Sequence, residues 1–203
     1  MGKLIIFEGP DGVGKTTLSN AISEYLNYHQ RPSELMTFPG REQGTIGRLI
    51  YELHHNPSKY GIESLTDISK QALHIVAHLD AIERQIIPTL KTGKNVILDR
   101  FWWSTWVYGI VSEIEPNILK ALIEVERQQW GYLQPDLAIL IRRKTPINRD
   151  DSIEYWQRLG QEYYFLANAE KEKYPVYFFE NDGSFEDAIQ SIKNLLENYL
   201  NGK

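Results

Sequence analysis

No cysteine occurs among the 203 residues, which excludes disulfides, thiolate metal sites and thiol nucleophiles. A chain without them suits a reducing cytosol. Long apolar runs are missing too. No stretch approaches the roughly 20 residues that a membrane-spanning helix needs, and the chain runs into a core strand with no signal-peptide pattern ahead of it. Excess positive charge is also absent. A net charge of −5 argues against a general polyanion-binding surface, so nucleic acid would have to be held by a local basic cluster. What remains is ordinary for a soluble globular protein, with 42% hydrophobic and 24% charged residues in a length that suits a single domain, 1–203.

The informative stretch is Phe7–Thr17, which reads F-E-G-P-D-G-V-G-K-T-T. It follows the apolar run Leu4–Phe7 and opens a helical pattern at Thr16, the strand–turn–helix context that a phosphate-binding P-loop requires. Gly9, Gly12 and Gly14 let the backbone curl so that successive N–H groups point inward, together with those of Asp11–Thr17 around them. The helix that follows turns its unpaired N-terminal donors toward the same anion. Lys15 reaches the outer phosphates, and the Thr16 hydroxyl can ligate magnesium.

Taken in order, the pattern predicts a strand at Lys3–Phe7, a helix to about Tyr28, a strand at Glu34–Phe38 and a helix at Gly44–His55. A long amphipathic helix or pair follows over Ser64–Leu90, broken near Pro88. Next comes the strand Asn95–Leu98, closed by Asp99-Arg100 in the Walker B manner, with Asp99 serving the magnesium shell. Helices at Trp102–Val111 and Pro116–Trp130 precede an all-apolar strand at Asp136–Ile141. The remainder is a helix at Asp151–Lys173, a strand at Val176–Phe179, and a helix at Ser184–Tyr199 with Ser184 as N-cap. Strands alternating with helices mean an α/β fold, a five-stranded parallel sheet flanked by helices in three layers. Ligands then bind at the carboxyl ends of the strands.

Three such ends carry chemistry: the loop after strand one, Phe38-Pro39-Gly40-Arg41 after strand two, and Asp99-Arg100 after strand three. A sheet of this kind brings them to one edge. Arg41 and Arg100 then supply two guanidinium forks suited to a second phosphate. Trp102, Trp103 and Trp106 crowd the next helix; core packing is their default, base stacking the alternative.

These residues resemble the thymidylate kinases. The chain shows F-E-G-x-D-G-x-G-K-T-T, then F-P-x-R at Phe38–Arg41, then D-R-F-x-x-S-x-x-x-Y at Asp99–Tyr108 with Ser104 and Tyr108 in register. The resemblance implies a P-loop kinase fold that uses ATP and Mg2+, with Gly9, Pro10, Asp11, Gly12, Val13, Gly14, Lys15, Thr16 and Thr17 around the ATP phosphates and Thr16 and Asp99 at the metal. It further implies that Asp11 meets the acceptor sugar, that Arg41 and Arg100 grip the acceptor phosphate, and that Phe38, Ser104 and Tyr108 line the acceptor pocket. A cytoplasmic homodimer acting on a small nucleotide is implied as well.

Departures from the family's pattern bear on the transition-state arginine and, with the Phe101–Trp106 aromatic run, on substrate choice. Position 12 is glycine where some members carry arginine, so the transition-state arginine is expected in the lid, Arg149 first, then Arg142 and Arg143. That lid, 142–150, is short. His74 and His78, four apart on one helix face, stand where the family has a stacking phenylalanine and an arginine facing the base. The reading is therefore phosphoryl transfer to dTMP or a related pyrimidine nucleotide. The alternatives are another acceptor (a deoxynucleoside, a modified pyrimidine nucleotide or a base in DNA) and a non-catalytic nucleotide-binding module.

Overall fold

The computed structural model describes residues 1–147 and 152–200. Five parallel strands, β1 (Leu4–Glu8), β2 (Ser33–Thr37), β3 (Asn95–Asp99), β4 (Leu137–Arg142) and β5 (Val176–Glu180), form one sheet in the order β2-β3-β1-β4-β5. β1 is buried at every position, and β3 and β4 nearly so, which follows from helices covering both faces of a parallel sheet.

Eight α-helices are described: α1 (Lys15–Tyr28), α2 (Ile46–His55), α3 (Asp67–Ala81), α4 (Ile87–Lys91), α5 (Trp102–Val111), α6 (Pro116–Trp130), α7 (Ile153–Glu170) and α8 (Phe185–Leu200). Alternation along β1 divides the core. Leu4 and Ile6 join Trp103, Val107 and Tyr163 on one face, while Ile5 and Phe7 join Leu18, Ile22 and Ile192 on the other. Trp102 and Trp103 are buried in the first of these cores, which accounts for two of the crowded tryptophans as packing.

The expected Ser64–Leu90 helix is three pieces, α3, a π-helical turn at Ile82–Ile86, and α4. Pro88 has no N–H to give the Arg84 carbonyl, so the ladder widens one turn before the proline rather than at it. α2 begins at Ile46, two residues later than expected, because the Thr45 hydroxyl accepts from Arg48 N at 3.1 Å and caps it there. Ser184 caps α8, accepting from Asp187 N at 3.2 Å. α7 begins at Ile153, capped by Ser152, whose hydroxyl accepts from Tyr155 N at 3.1 Å; the expected start at Asp151 lies outside the described residues.

Register positions the site. Phe7 lies opposite Asp99 on one side and Ile139 on the other, and Thr37 lies opposite Asp99. The ends of β1, β2 and β3 therefore meet at one edge. The chain reverses its direction of winding between β1 and β3, which is where an open α/β sheet forms its crevice.

Candidate active site

The glycine-rich loop is held from behind, carbonyl by carbonyl. Lys15 Nζ donates to Pro10 O at 2.8 Å, Trp156 Nε1 to Asp11 O at 2.7 Å, Ile147 N to Gly12 O at 2.9 Å, and Asn181 Nδ2 to Val13 O at 2.8 Å. Gly9 and Gly14 have φ of 139° and 92°, left-handed values that favour glycine. A Cβ at Gly9 would come within 2.4 Å of Ile141 O, so the loop also packs too closely on β4 to admit a side chain there.

Lys15 is buried, and burial followed by the Arg100 charge pulls its ammonium down to about 7 against the carboxylates of Asp99, Asp11 and Glu8. Thr16 Oγ1 donates to Asp99 Oδ2 at 2.6 Å, so the first helical turn and the end of β3 converge as the Walker B reading requires. Asp99 is 2% exposed, and its other oxygen, Oδ1, is buried with no hydrogen-bond partner among the described residues. Thr17 is exposed on the loop side of α1.

Beside the loop opens a cavity of about 450 Å³ whose wall includes Asp11, Phe38, Arg41, His74, His78 and Arg100. Ser104 and Tyr108 line it as well. The structure thus brings together every residue that sequence reasoning assigned to the acceptor pocket. Arg100 has φ of 76°, a left-handed conformation unusual for a residue with a side chain and of the kind that gathers at functional sites. Its guanidinium pairs with Asp11 and donates to Ser104 Oγ at 2.9 Å, and Tyr108 OH donates to the other Asp11 oxygen at 3.2 Å. Arg41 is exposed, its guanidinium 5.1 Å from the centre of the Tyr51 ring. None of Trp102, Trp103 and Trp106 lines this cavity.

Glu8 was not singled out by sequence reasoning, although it lies inside the F-E-G run. It is fully buried, and it accepts from Phe101 N (2.7 Å), Ser104 N (3.0 Å), Ser104 Oγ (2.9 Å) and Gly9 N (3.2 Å). One carboxylate thereby ties the phosphate loop to the start of α5 and holds the segment that carries Arg100. Burial pushes its carboxyl above the usual carboxylate range, with the Arg100 and Lys15 charges pulling the other way.

The two histidines sit in a stack of rings. His78 lies on Phe38 with centroids 3.9 Å apart and planes 12° apart, and His74 Nε2 is 3.1 Å from His54 Nδ1. Burial, then the His78 and His54 neighbours, holds His74 well below the usual histidine range, so this ring is neutral at physiological pH. Among the lid arginines, Arg142 pairs with Glu180 and covers Tyr164, while Arg143 donates to the carbonyls of Asn181 and Thr145. Arg149 lies outside the described residues.

Comparison with known proteins agrees with this geometry. The thymidylate kinase family model matches residues 7–174. A thymidylate kinase of Symbiobacterium thermophilum is 31% identical over 213 residues, covering 98% of this chain and 95% of its own. One of Legionella pneumophila (strain Corby) is 28% identical over 214 residues, covering 98% and 96%. The crystal structure of thymidylate kinase from Ehrlichia chaffeensis superposes with a TM-score of 0.76 at 22% identity over 96% of this chain and 98% of that one, a likeness of fold. With the loop, the aspartate on its threonine and the arginine-walled cavity joined at one sheet edge, and a match spanning most of its length, the chain belongs to the thymidylate kinase family, whose members are phosphotransferases.

Proposed function

We propose that this chain transfers the γ-phosphoryl group of ATP to the phosphate of a deoxynucleoside monophosphate, dTMP first among candidates, giving ADP and the nucleoside diphosphate. The observation that carries this reading is the junction at Asp11. This residue belongs to the phosphate loop, yet it also walls the acceptor cavity and is bonded there by Arg100 and Tyr108. A donor phosphate chain over the loop amides and an acceptor phosphate beside Arg100 and Arg41 would then meet end to end. Phosphoryl transfer asks chiefly for that alignment and for positive charge around the moving group. An acceptor oxygen bonds to the γ-phosphorus while the bond to the β-phosphate oxygen breaks.

Magnesium fits the residues present. A hydroxyl and a carboxylate with one unpartnered oxygen are hard donors, and Thr16 and Asp99 would hold the ion, which neutralises phosphate charge when bound. No cluster of three or more metal-ligating acids, histidines or cysteines exists among the described residues, in keeping with an ion that takes most of its shell from phosphates and water.

The engagement of Arg142 and Arg143 elsewhere supports Arg149 as the arginine of a short lid, 142–150, on a single kinase domain spanning 1–203. No helix of the described residues is long and apolar enough to cross a membrane, and we assign the chain to the cytoplasm. Leu49, Val76 and Val125, each about half exposed on the neighbouring helices α2, α3 and α6, support the homodimer that the family resemblance implies; light scattering tests it.

The central experiment is a coupled assay of ADP release with dTMP, dUMP, dCMP, dAMP and dGMP at saturating Mg-ATP. Release dependent on a pyrimidine nucleotide is expected. A second reading, an acceptor that is a nucleoside or a modified nucleotide, is favoured by the histidine ring stack at the cavity wall. A nucleoside acceptor requires that Arg41→Ala leave its turnover intact, whereas a monophosphate acceptor, modified or not, loses affinity.

A further inference from the structure

Asn181, the residue just past the end of β5, reaches the phosphate loop from behind. Its Nδ2 donates to Val13 O at 2.8 Å. Val13 is fully buried, so this carbonyl cannot turn to solvent instead. The Val13–Gly14 peptide is planar and trans, and its C=O and N–H point in opposite directions. Holding the carbonyl from behind therefore aims the Gly14 N–H at the concave side of the loop, where the kinase reading puts the donor phosphates.

The same side chain presses on Gly14. A Cβ built there would come within 2.7 Å of Asn181 Nδ2, so the amide fills the space that a side chain would need. Gly14 is the N-cap of α1, at φ 92° and ψ 15°, and its carbonyl accepts from Leu18 N at 3.1 Å. One asparagine thus fixes the peptide that joins the loop to the helix carrying Lys15 and Thr16.

Asn181 is held in turn by its own backbone. Its N–H donates to Arg142 O at 2.8 Å, and its carbonyl accepts from the Arg143 guanidinium. Arg143 Nε also donates to Thr145 O at 3.2 Å, and Lys144 N donates to Asp182 Oδ1 at 3.0 Å. Arg143 therefore spans the chain after β4 and the chain after β5, and it fixes the residue that holds the loop. None of Val13, Gly14 and Asn181 lines the acceptor cavity, whereas Asp11, at the other end of the loop, does.

We propose that Asn181 is a positioning residue for the phosphoryl donor: it orients the Gly14 amide toward the donor's phosphate chain, and Arg143 braces it there. The proposal rests on the kinase reading above and adds to it a determinant of donor affinity that acts from behind the loop.

The test measures Kd for ADP, inorganic pyrophosphate and dTMP by calorimetry in the presence of Mg2+, for the wild-type protein and for Asn181→Ala, Asn181→Asp and Arg143→Met. Asn181→Ala is expected to raise Kd for ADP by about tenfold or more, since a buried carbonyl loses its donor and a phosphate-facing amide its aim. Kd for pyrophosphate rises by the same factor, because the effect passes through the phosphates, and Kd for dTMP stays within about twofold. Asn181→Asp keeps the shape but cannot donate, and it sets a carboxylate against a carbonyl, so its effect is at least as large. Arg143→Met leaves the amide in place and removes only its brace; a rise of about threefold, on the same two ligands, is expected. Kd for ADP within twofold of wild type in Asn181→Ala overturns this inference and leaves the kinase reading standing. Should Asn181→Ala not fold, the isosteric Asn181→Asp carries the same expectation, and unchanged ADP affinity in it is equally decisive. A rise for ADP without one for pyrophosphate, which marks a contact with the nucleoside, also overturns it, as does an equal rise for dTMP, which marks general loosening. A wild type that binds neither ADP nor pyrophosphate removes the kinase reading and this one with it.

Discussion

Replacing Glu8 by glutamine changes one oxygen to an amide nitrogen and almost nothing in volume, so its effect is a direct measure of the carboxylate. Oε1 accepts two backbone N–H groups, of Phe101 and Ser104; Oε2 accepts one, of Gly9, and the Ser104 hydroxyl. The glutamine will therefore turn its nitrogen toward the Oε2 position, where the serine hydroxyl can rotate to accept and only Gly9 N–H faces another donor. One buried N–H left without a partner costs about 1–3 kcal/mol. For a domain of about this length each kcal/mol lowers the melting temperature by about 2–4 °C, so the expected drop is about 2–12 °C. The loss also loosens the segment that holds Arg100 at a φ of 76°, and KM for the acceptor should rise while KM for ATP changes less. Thermal melting followed by circular dichroism, with the coupled assay alongside, reads both. Ser104→Ala completes a double-mutant cycle, in which a coupling of at least about 0.5 kcal/mol is expected between groups that share a hydrogen bond. A melting temperature within 1 °C of wild type, or additive effects in the cycle, would refute the idea that this carboxylate ties the loop to α5 (1 °C being about half the smallest expected shift).

Lys15→Ala should abolish turnover while leaving the fold intact, because among the described residues no other ammonium is bonded to the loop backbone; retained turnover in the coupled assay contradicts the assignment. Arg100→Ala should raise KM for the acceptor by about tenfold or more, the loss of charged hydrogen bonds, with a smaller change in nucleotide donor affinity by calorimetry. Glu52 is held at about 2 by hydrogen bonds from Lys59 and Arg48. Because its folded value lies below the ordinary 4.5, its contribution to stability is present at neutral pH and is lost as pH falls through about 2. Carbon-detected NMR titration should find a midpoint near 2 that returns toward 4.5 in Lys59→Met.

What could be read in advance was whatever sits close together in the chain. The loop, Thr16 and the aspartate ending β3 follow from motifs of a dozen residues, and the parallel sheet follows from apolar runs of four or five alternating with helical patterns. His74 and His78 could be assigned to one helix face from spacing alone. Their partners could not: Glu126 lies 48 residues beyond His78, and nothing about a glutamate on an amphipathic helix distinguishes a buried hydrogen-bonding carboxylate from a solvated one. Trp156 was legible as an apolar position of α7 but not as a donor to a loop 145 residues upstream. The π-helical turn escaped because helix periodicity reports which face is apolar and not how many residues close each turn. Glu8 lay in full view inside the loop motif. Its role shows only when β3 is laid beside β1 and the start of α5 is brought over its side chain.

The long-range contacts also explain why the phosphate loop depends on the whole chain. A peptide unit has its N–H and its carbonyl on opposite sides, so a loop whose N–H groups face an anion must turn its carbonyls away from it. Those carbonyls then point into protein, where an unpaired oxygen is costly. Here Pro10, Asp11, Gly12 and Val13 each find a donor, from Lys15, Trp156, Ile147 and Asn181 respectively. Only the first is local. The other three come from helix α7, from the segment after β4 and from the end of β5, so the inward set of N–H groups is held by outward bonds that form only once the C-terminal third has docked. Ile147 ties the end of the segment after β4 to Gly12, and Trp156 ties α7 to Asp11, the residue that also faces the acceptor cavity, so both elements bear directly on the loop.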